Sequence, residues 1–432
     1  MQGRTHPTGT ARTYAYRKRI APLCHYQPDG RLRFSVMSAA HRPRLFGTNL
    51  ERAADHNQRI TLHAIRVCGA LTRVELASIT GLTTAAIANI TRRLLNDGLI
   101  EEAGQQRGGR GQPPTRLVIR HKACFALGIN IDRDHVTIVL VDFAGETVAR
   151  ISEDIAFALP GQVATLYRTS IRKMLQAARI TVDQLVGLGV ASPDQLGSID
   201  LPGRPAAYAD WDEVDMAKLF ARPFALPVFT ENDAAAAAMG EMQFGLGQRH
   251  ASFFYILISS GLGGGVVVDN AYIRGADGRS GELGFLRTAT GAQVQTLVSR
   301  SGLAMHLNRD GFALADIPCD NDTGGHAVQD SVEAWIEAAA TQLVEPLTAV
   351  NCLLNPAIVL VGGRLPAAVL DGLTNRLNTR LAEACDGIPA LAPVARAALS
   401  ADAPAVGAAI LPFSHFLLPK PGALWKTPGH DQ

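Results

Sequence analysis

Three short helical stripes, each closed by a glycine, followed by two strand-like runs around a basic glycine turn, constrain this chain more than any other feature. From Asn57 to Gly69 the apolar residues Ile60, Leu62, Ala64, Ile65, Val67 and Cys68 recur at helical spacing and stop at glycine. Thr72 then opens TRVELASITG, where Glu75 stands three residues on as in a capping box and Gly81 closes the helix. Thr83 caps a third helix, TTAAIANITRRLLNDG, with Ile87, Ile90, Leu94 and Leu95 as its buried face and Gly98 as its end. Leu99 to Glu102 and Thr115 to Arg120 read as strands on either side of RGGRGQPP. Helix, helix-turn-helix and a two-stranded wing make a winged helix. Its third helix turns Thr84, Ala85, Ala88, Asn89, Arg92 and Arg93 outward, small or polar groups suited to a major groove, with Asn89 able to pair with adenine. Arg107 and Arg110, set among wing glycines, suit a minor groove.

The distribution of charge agrees. The net charge is only +2, yet residues 1–122 hold 20 Lys and Arg against 7 Asp and Glu, while the other 310 residues hold 21 against 32. A basic head on an acidic body points to a polyanionic partner, because Lys and Arg that neutralise phosphates release condensed counterions. Double-stranded DNA is the expected partner. Residues 1–50 carry nine basic residues against one acid, with no apolar core segment, and read as a disordered basic extension.

Beyond Cys124 the pattern becomes alternating strands and helices. FALGINI, HVTIVLVDF and ETVARISEDIAF are three strands; a helix at Val163 to Ala178, the strand LVGLGVAS and a strand entering an Ala-rich helix in PVFTENDAAAAAMGEMQFG follow. FFYILISSGLGGGVVVDNAYI is a strand, a glycine turn and a strand; Ser331 to Cys352 is a long helix, and AIVLVGG is a buried strand. This order is α/β, with two similar lobes that each open on strands. With 47% hydrophobic and 19% charged residues, and every long apolar run cut by glycine, proline or polar groups, a soluble chain with no membrane span is expected. Six cysteines without paired spacing fit reduced thiols, hence a cytoplasmic setting.

Four runs taken together, ENDAAAAAMGE (Glu231 to Glu241), SSGLGGGVVVDN (Ser259 to Asn270), GADGRSGELGF (Gly275 to Phe285) and NPAIVLVGG (Asn355 to Gly363), resemble the ROK family. That grouping contains sugar-responsive repressors and sugar kinases on the actin-like ATPase fold. The resemblance extends over residues 57 to about 415, and a winged helix in front is what marks the family's repressors. It implies an N-terminal winged helix-turn-helix followed by a two-lobed actin-like (ribonuclease H-like) domain. The expected boundaries are 51–122 for the winged helix and 123–432 for the sensor. Lobe 1 covers about 123–232 plus the C-terminal helix, and lobe 2 about 233–400. It also implies a homodimer or homotetramer, an operator DNA, and a sugar-like effector.

The resemblance places the kinases' general base at Asp233, with Asn232 and Glu282 at positions that contact the sugar. Read from the residues alone, a carboxylate at a strand end and helix start is also a capping arrangement. SGLGGG can cradle phosphate with its backbone N–H groups or simply form a tight hairpin. The kinases' Asp-Ile-Gly-Gly-Thr phosphate loop is replaced by Asn130-Ile131-Asp132-Arg133-Asp134, whose side chains block backbone approach and whose acids repel phosphate. No kinase activity and no catalytic residue are therefore expected. The family's His and three-cysteine zinc segment is missing after Gly281-Glu282-Leu283-Gly284-Phe285, so no metal and no cofactor are expected. Phe285 either stacks on a ligand or fills the space zinc left. Gln295 stands near a family Glu, and Tyr208, Asp210 and Trp211 occupy a segment that in the family lies over the sugar; Tyr208, Trp211 and Gln295 join the effector set. The expected function is a transcriptional repressor of carbohydrate uptake or catabolism genes. The alternatives are a sugar kinase carrying a DNA-binding head and a regulator that no longer binds sugar.

Overall fold

The structure is a computed structural model of the chain. It describes residues 24–26, 32–34, 50–105, 114–198, 204–276, 278–318, 326–385 and 387–419. Within the basic extension, β1 (Cys24–Tyr26) and β2 (Leu32–Phe34) pair antiparallel, so regular structure exists where none was expected.

The winged helix comprises α1 (Leu50–Cys68), β3 (Leu71–Thr72), α2 (Arg73–Thr80), α3 (Thr84–Asn96), β4 (Ile100–Gln105) and β5 (Thr115–Ile119). The stripe expected from Asn57 starts a full two turns earlier. Thr72 and Glu75 form the expected capping box, and Gly81 ends α2 at φ +67°, a conformation that favours glycine. Thr83 caps α3 through the Ala86 N–H.

The body contains two sheets of the same design. Lobe 1 has β6 (Phe125–Ile131), β7 (His135–Asp142), β8 (Thr147–Asp154), α4 (Pro160–Ala178), β9 (Leu185–Ser192), α5 (Met216–Leu219) and β10 (Val228–Asn232), and α6 (Asp233–Phe244) leads from it onto the lobe 2 sheet. Lobe 2 has β11 (Phe253–Ile258), β12 (Leu262–Val268), β13 (Ala271–Tyr272), α7 (Val294–Leu297), α8 (Arg300–Arg309), α9 (His326–Leu354), β14 (Ile358–Gly363), α10 (Ala367–Ala384) and β15 (Val394–Arg396). The chain then closes with α11 (Ala403–Phe416). The sheets run β10-β9-β6-β7-β8 and β13-β12-β11-β14-β15. In each, an antiparallel three-strand meander is extended by two parallel strands beside its first strand. The two-lobed α/β organisation read from the sequence is the one observed.

β6 and β7 are buried along their whole length, as strands covered on both faces must be. Their large residues, Phe125, Leu127, Ile129, Ile138 and Leu140, pack toward α4 with Tyr167 and Ile171. The opposite face is built from small residues, because α11 lies almost on the strand backbone. A Cβ on Gly128 would come within 1.9 Å of the Ala405 carbonyl oxygen, and one on Gly189 within 1.8 Å of that of Ala408. On its other side α11 meets α6, where a Cβ on Gly407 would fall 1.7 Å from the Ala236 carbonyl oxygen. The alanine run of α6 is therefore a packing surface as well as a good helix former.

The winged helix is not a separate globule. Leu62, Ile65, Leu76, Ile87, Leu94 and Leu117 share one core with Ala126, Val139, Phe143, Val406 and Phe413 of lobe 1 and α11. The expected boundary at residue 122 marks a change of element type, not a break in packing. Gly407→Ala should cost at least the upper end of the roughly 1–3 kcal/mol usual for overpacking, since the obstructing atom is backbone. Urea denaturation checks this, and a midpoint equal to wild type would show that α6 and α11 can separate freely.

Candidate functional site

The first hairpins of the two sheets face each other. In lobe 1 the β6–β7 turn carries Asp132, Arg133 and Asp134; in lobe 2 the β11–β12 turn carries Ser259, Ser260 and Gly261. Between the lobes is a cleft of about 810 Å³, also lined by Asn232, Asp233, Arg279, Glu282, Phe285 and Gln295.

Asn232 ends β10 and caps α6. Its Oδ1 accepts the N–H groups of Ala234 and Ala235 at 2.9 and 3.1 Å, so its amide N–H₂ is what it can offer a ligand. Asp233 begins α6, 7% exposed, and its Oδ1 accepts the Ala234 N–H at 2.8 Å. Burial, reinforced by nearby Asp132, pushes its carboxyl up to about 7 against the opposing influence of Arg133. Burial and Asp194 likewise raise Glu282, with Arg279 3.9 Å away opposing them. Gln295 donates from Nε2 to Gln293 Oε1 at 2.8 Å. Phe285 is 51% exposed on the rim, so it does not fill a space vacated by zinc.

Two expected members of the site lie elsewhere. Tyr208 is fully buried and Trp211 nearly so in the lobe 1 core, where Trp211 Nε1 donates to the Ala158 carbonyl at 2.8 Å. Neither lines the cleft, although the buried Tyr208 hydroxyl is without a hydrogen-bond partner among the described residues and feels the charges of Asp132, Arg133 and Asp134. The glycines of SGLGGG also divide. Cβ atoms on Gly263 and Gly265 would meet the Ala234 and Ala238 methyls, and one on Gly264 the Gly281 carbonyl, so these three serve close packing of β12. Only Gly261 opens on the degenerate loop: a Cβ there would lie 2.9 Å from Arg133 Nη1.

The loop's acids do not both present bare charge. Asp134 takes Arg300 Nη1 at 2.5 Å, Arg364 Nη1 at 3.5 Å and His135 Nδ1 at 2.7 Å. Burial would raise its carboxyl, but the His135 hydrogen bond and the two arginines hold it well below the usual carboxylate range. Arg364 also reaches Asp154 at 2.6 Å, and Arg279 reaches Asp194 at 2.7 Å. These pairs join lobe 1 to lobe 2. Asp132, Asp134 and His135 have ligand atoms within 4.8 Å of one another, but the arginines already engage Asp134. Electrostatic repulsion of phosphate by Asp134, expected from sequence, is thus largely cancelled, while steric occupation by Arg133 stands.

On the winged helix, Thr84, Ala85, Asn89, Arg92 and Arg93 are exposed along α3, and Ala88 is half-buried. Arg107 and Arg110 lie outside the described residues. The head is tied to the body from the middle and from the last turn of α1. Arg59 Nη1 donates to the carbonyls of His415 and Leu418 at 3.0 and 3.1 Å. Arg66 donates to the Gln243 carbonyl at 3.2 Å and to its side chain, and lies 5.1 Å from the Phe244 ring centroid. Burial beside Arg66 pushes His63 down to about 4, so its ring is neutral at neutral pH.

Several of these residues gave no sign in the sequence. Arg300 and Arg364 are brought to Asp134 across 166 and 230 positions by lobe packing alone. Asp194 was legible in principle: it stands two residues past β9, at the carboxyl end of a parallel strand, where open α/β sheets bind ligands.

Two equivalent lobes with a cleft at their facing hairpins define the actin-like sugar-kinase class. Within it, a sequence profile of the ROK family matches residues 126–414. The uncharacterized protein y4fQ of Sinorhizobium fredii is 32% identical over 83% of this chain and 90% of its own length. The chain belongs to the ROK family. The xylose repressor of Bacillus spizizenii is 28% identical over 53% of this chain, a match that spans 60% of the repressor. A ROK family transcriptional regulator, described as a homolog of the E. coli MLC protein, superposes with a TM-score of 0.62 at 22% identity, over 83% of this chain and 96% of that one. The family also includes kinases: a ROK glucokinase from Streptomyces griseus shares the fold at a TM-score of 0.50 and 21% identity, over 66% of this chain and 98% of that one. Among the described residues no helix is long and apolar enough to cross a membrane.

The Asp233 carboxyl fixes a pH dependence. A carboxyl raised from 3.8 to about 7 keeps its proton in the folded chain after the unfolded chain has lost it. Stability of the ligand-free protein should therefore fall as pH climbs through that window, by at most about 1.4 kcal/mol per unit, and level off above it. Asp233→Asn should flatten this slope in urea denaturation series; an unchanged slope would assign it to another group.

Proposed function

We propose that this protein is a transcriptional repressor of sugar uptake or catabolism genes, that a sugar-like effector in the interlobe cleft sets its operator affinity, and that it transfers no phosphoryl group. The observation that carries this reading is the course of α6. The helix begins at Asp233 in the cleft and ends at Gln243 and Phe244, which Arg66 of the winged helix grips. A ligand that moves the start of α6 moves the seat of the head. Relatives named as repressors and the exposed α3 face support the DNA-binding part.

The physical requirement is differential affinity: the effector must bind one lobe closure better than the other, and the operator must prefer the opposite one. In a homodimer, lobe closure would alter the separation of two α3 helices, which must match half-sites about 34 Å apart or a multiple of that. A cytoplasmic location fits such a role. The kinase reading keeps Asp233 as a potential base. Against it stand Arg133 beside Gly261 and the bonding of Asn130 to His135 at 3.1 Å, where the kinases' phosphate loop has its acid.

Selection from random duplexes, followed by fluorescence anisotropy with a monosaccharide panel, tests the proposal. It predicts a sequence-specific site whose affinity changes with a sugar and not with Mg-ATP. ATP-dependent sugar phosphorylation, or no specific site, would overturn it. Asn89→Ala should weaken the selected site by about 1–3 kcal/mol and relax one base position, whereas Arg93→Ala should weaken all duplexes alike and lower the salt slope by about one. Arg66→Met should leave operator affinity within a few fold while blunting the sugar response. A full response in Arg66→Met would remove α6 from the coupling.

A further inference from the structure

The chain passes between the lobes twice, and one buried carboxylate touches both passages. The first passage runs from α6 through residues 245–252 into β11; the second runs from β15 through residues 397–402 into α11. Glu241, in the last turn of α6, has no exposed surface. Its Oε2 accepts the Leu246 N–H at 3.0 Å on the first passage, and its Oε1 accepts the Leu399 N–H at 2.6 Å on the second. The Ala398 N–H adds to the second set, and burial still raises the carboxyl against these three donors. All three are backbone groups, and a carboxylate buried against backbone alone is a costly way to end a helix. The chain is also shaped to it. A Cβ on Gly245 would come within 1.9 Å of Glu241 Oε2, and one on Gly247 within 2.7 Å of the Glu241 carbonyl oxygen. On the second passage Ser400, next to Leu399, sits at φ +44°, a conformation costly for any residue but glycine. A simple cap would need only the donors beside it; the bond to Leu399 spans 158 positions and joins segments that enter different lobes.

We propose that Glu241 is the pin of an interlobe hinge: it ties the two passages to each other, so that they bend together and the lobes close about one axis. Hinges absorb closure in a few residues at element ends, and Gly245 to Gly247 and Ala398 to Ser400 stand at such ends. Bound to both, the carboxylate stops either passage from bending alone. It lies eight residues, about 12 Å of helix, from Asp233 in the cleft, so it is a positioning residue that touches no ligand. It also holds the end of α6, where Arg66 grips Gln243 and Phe244, in a fixed relation to the start of α11. The pin acts whatever the cleft binds, so its failure and that of the effector reading are distinct.

Amide hydrogen exchange, read by mass spectrometry on the full chain without added ligand, tests the pin. Glu241→Gln keeps the shape of the side chain but turns one acceptor into a donor that faces a backbone N–H. It should speed exchange about tenfold or more in the two passages and also in the facing hairpins at 132–134 and 259–261, which a closed cleft protects. The interiors of β6 and β11 should exchange as in wild type. Glu241→Asp, which keeps the charge and loses the reach, should act in the same way. Circular dichroism shows whether each variant folds, and either one suffices. Hairpins that exchange at the wild-type rate would make Glu241 a cap on α6 and overturn the proposal. A rise shared equally by every segment, or loss of folding in both variants, would overturn it too, because either marks a general packing group.

Discussion

The near-contact of α11 with the backbones of β6, β9 and α6 is the constraint on which the rest of the structure depends. Gly128, Gly189 and Gly407 each lack the one carbon that would keep these elements apart. Because α11 lies against the lobe 1 sheet and α6 against β12, this stack of small residues joins the two lobes at their root. It also positions the head, since Phe413 and Val406 of α11 share a core with Leu62, Ile65 and Leu94 of the winged helix. Close-packed interiors transmit displacement instead of absorbing it. A shift at the cleft therefore has few places to go except along α6 and α11 toward α1.

At the opposite end of the cleft the lobes are joined by charge. Asp134, Asp154 and Asp194 on lobe 1 meet Arg300, Arg364 and Arg279 on lobe 2. The chain thus supplies an ionic bridge of its own between the lobes. Such partly buried pairs contribute little net stability once desolvation is counted, but they fix geometry. The bridge holds one degree of lobe closure without fuel, which suits a device that must read a ligand by equilibrium binding.

Features governed by local chemistry were legible in the sequence. The Thr72–Glu75 capping box, the Gly81 turn and the exposed face of α3 follow from residues within one helical turn of each other. The two-lobed α/β order was legible because fully buried strands give long apolar runs. Tyr208 and Trp211 were misplaced because an aromatic beside polar residues gives no indication of which way it faces, and here the core took both. The ionic bridge was illegible for a different reason: its partners come from separate elements, and no pattern in one segment encodes a charge hundreds of positions away. The role of SGLGGG is set by the methyls of Ala234 and Ala238 against Gly263 and Gly265, which come from a helix that no residue of the run specifies.

The same geometry is compatible with the proposed sensor on a fold shared with sugar kinases. Loss of the loop glycines removes backbone approach to phosphate, yet the carboxyl at the start of α6 and the amide capping it remain. Retaining them costs nothing in a binder, because a group that would accept a hydroxyl proton during transfer will also accept a hydrogen bond from that hydroxyl. What must change is the output. In a kinase, closure assembles a reaction; in the proposed sensor, closure would move a helix whose far end is held by Arg66. Coupling of this kind is reciprocal, so operator DNA must alter effector affinity by the same factor that effector alters operator affinity. On that proposed reading the factor is bounded by how differently Asn232, Asp233 and Glu282 would meet a ligand in the two closures, and not by the strength of binding itself.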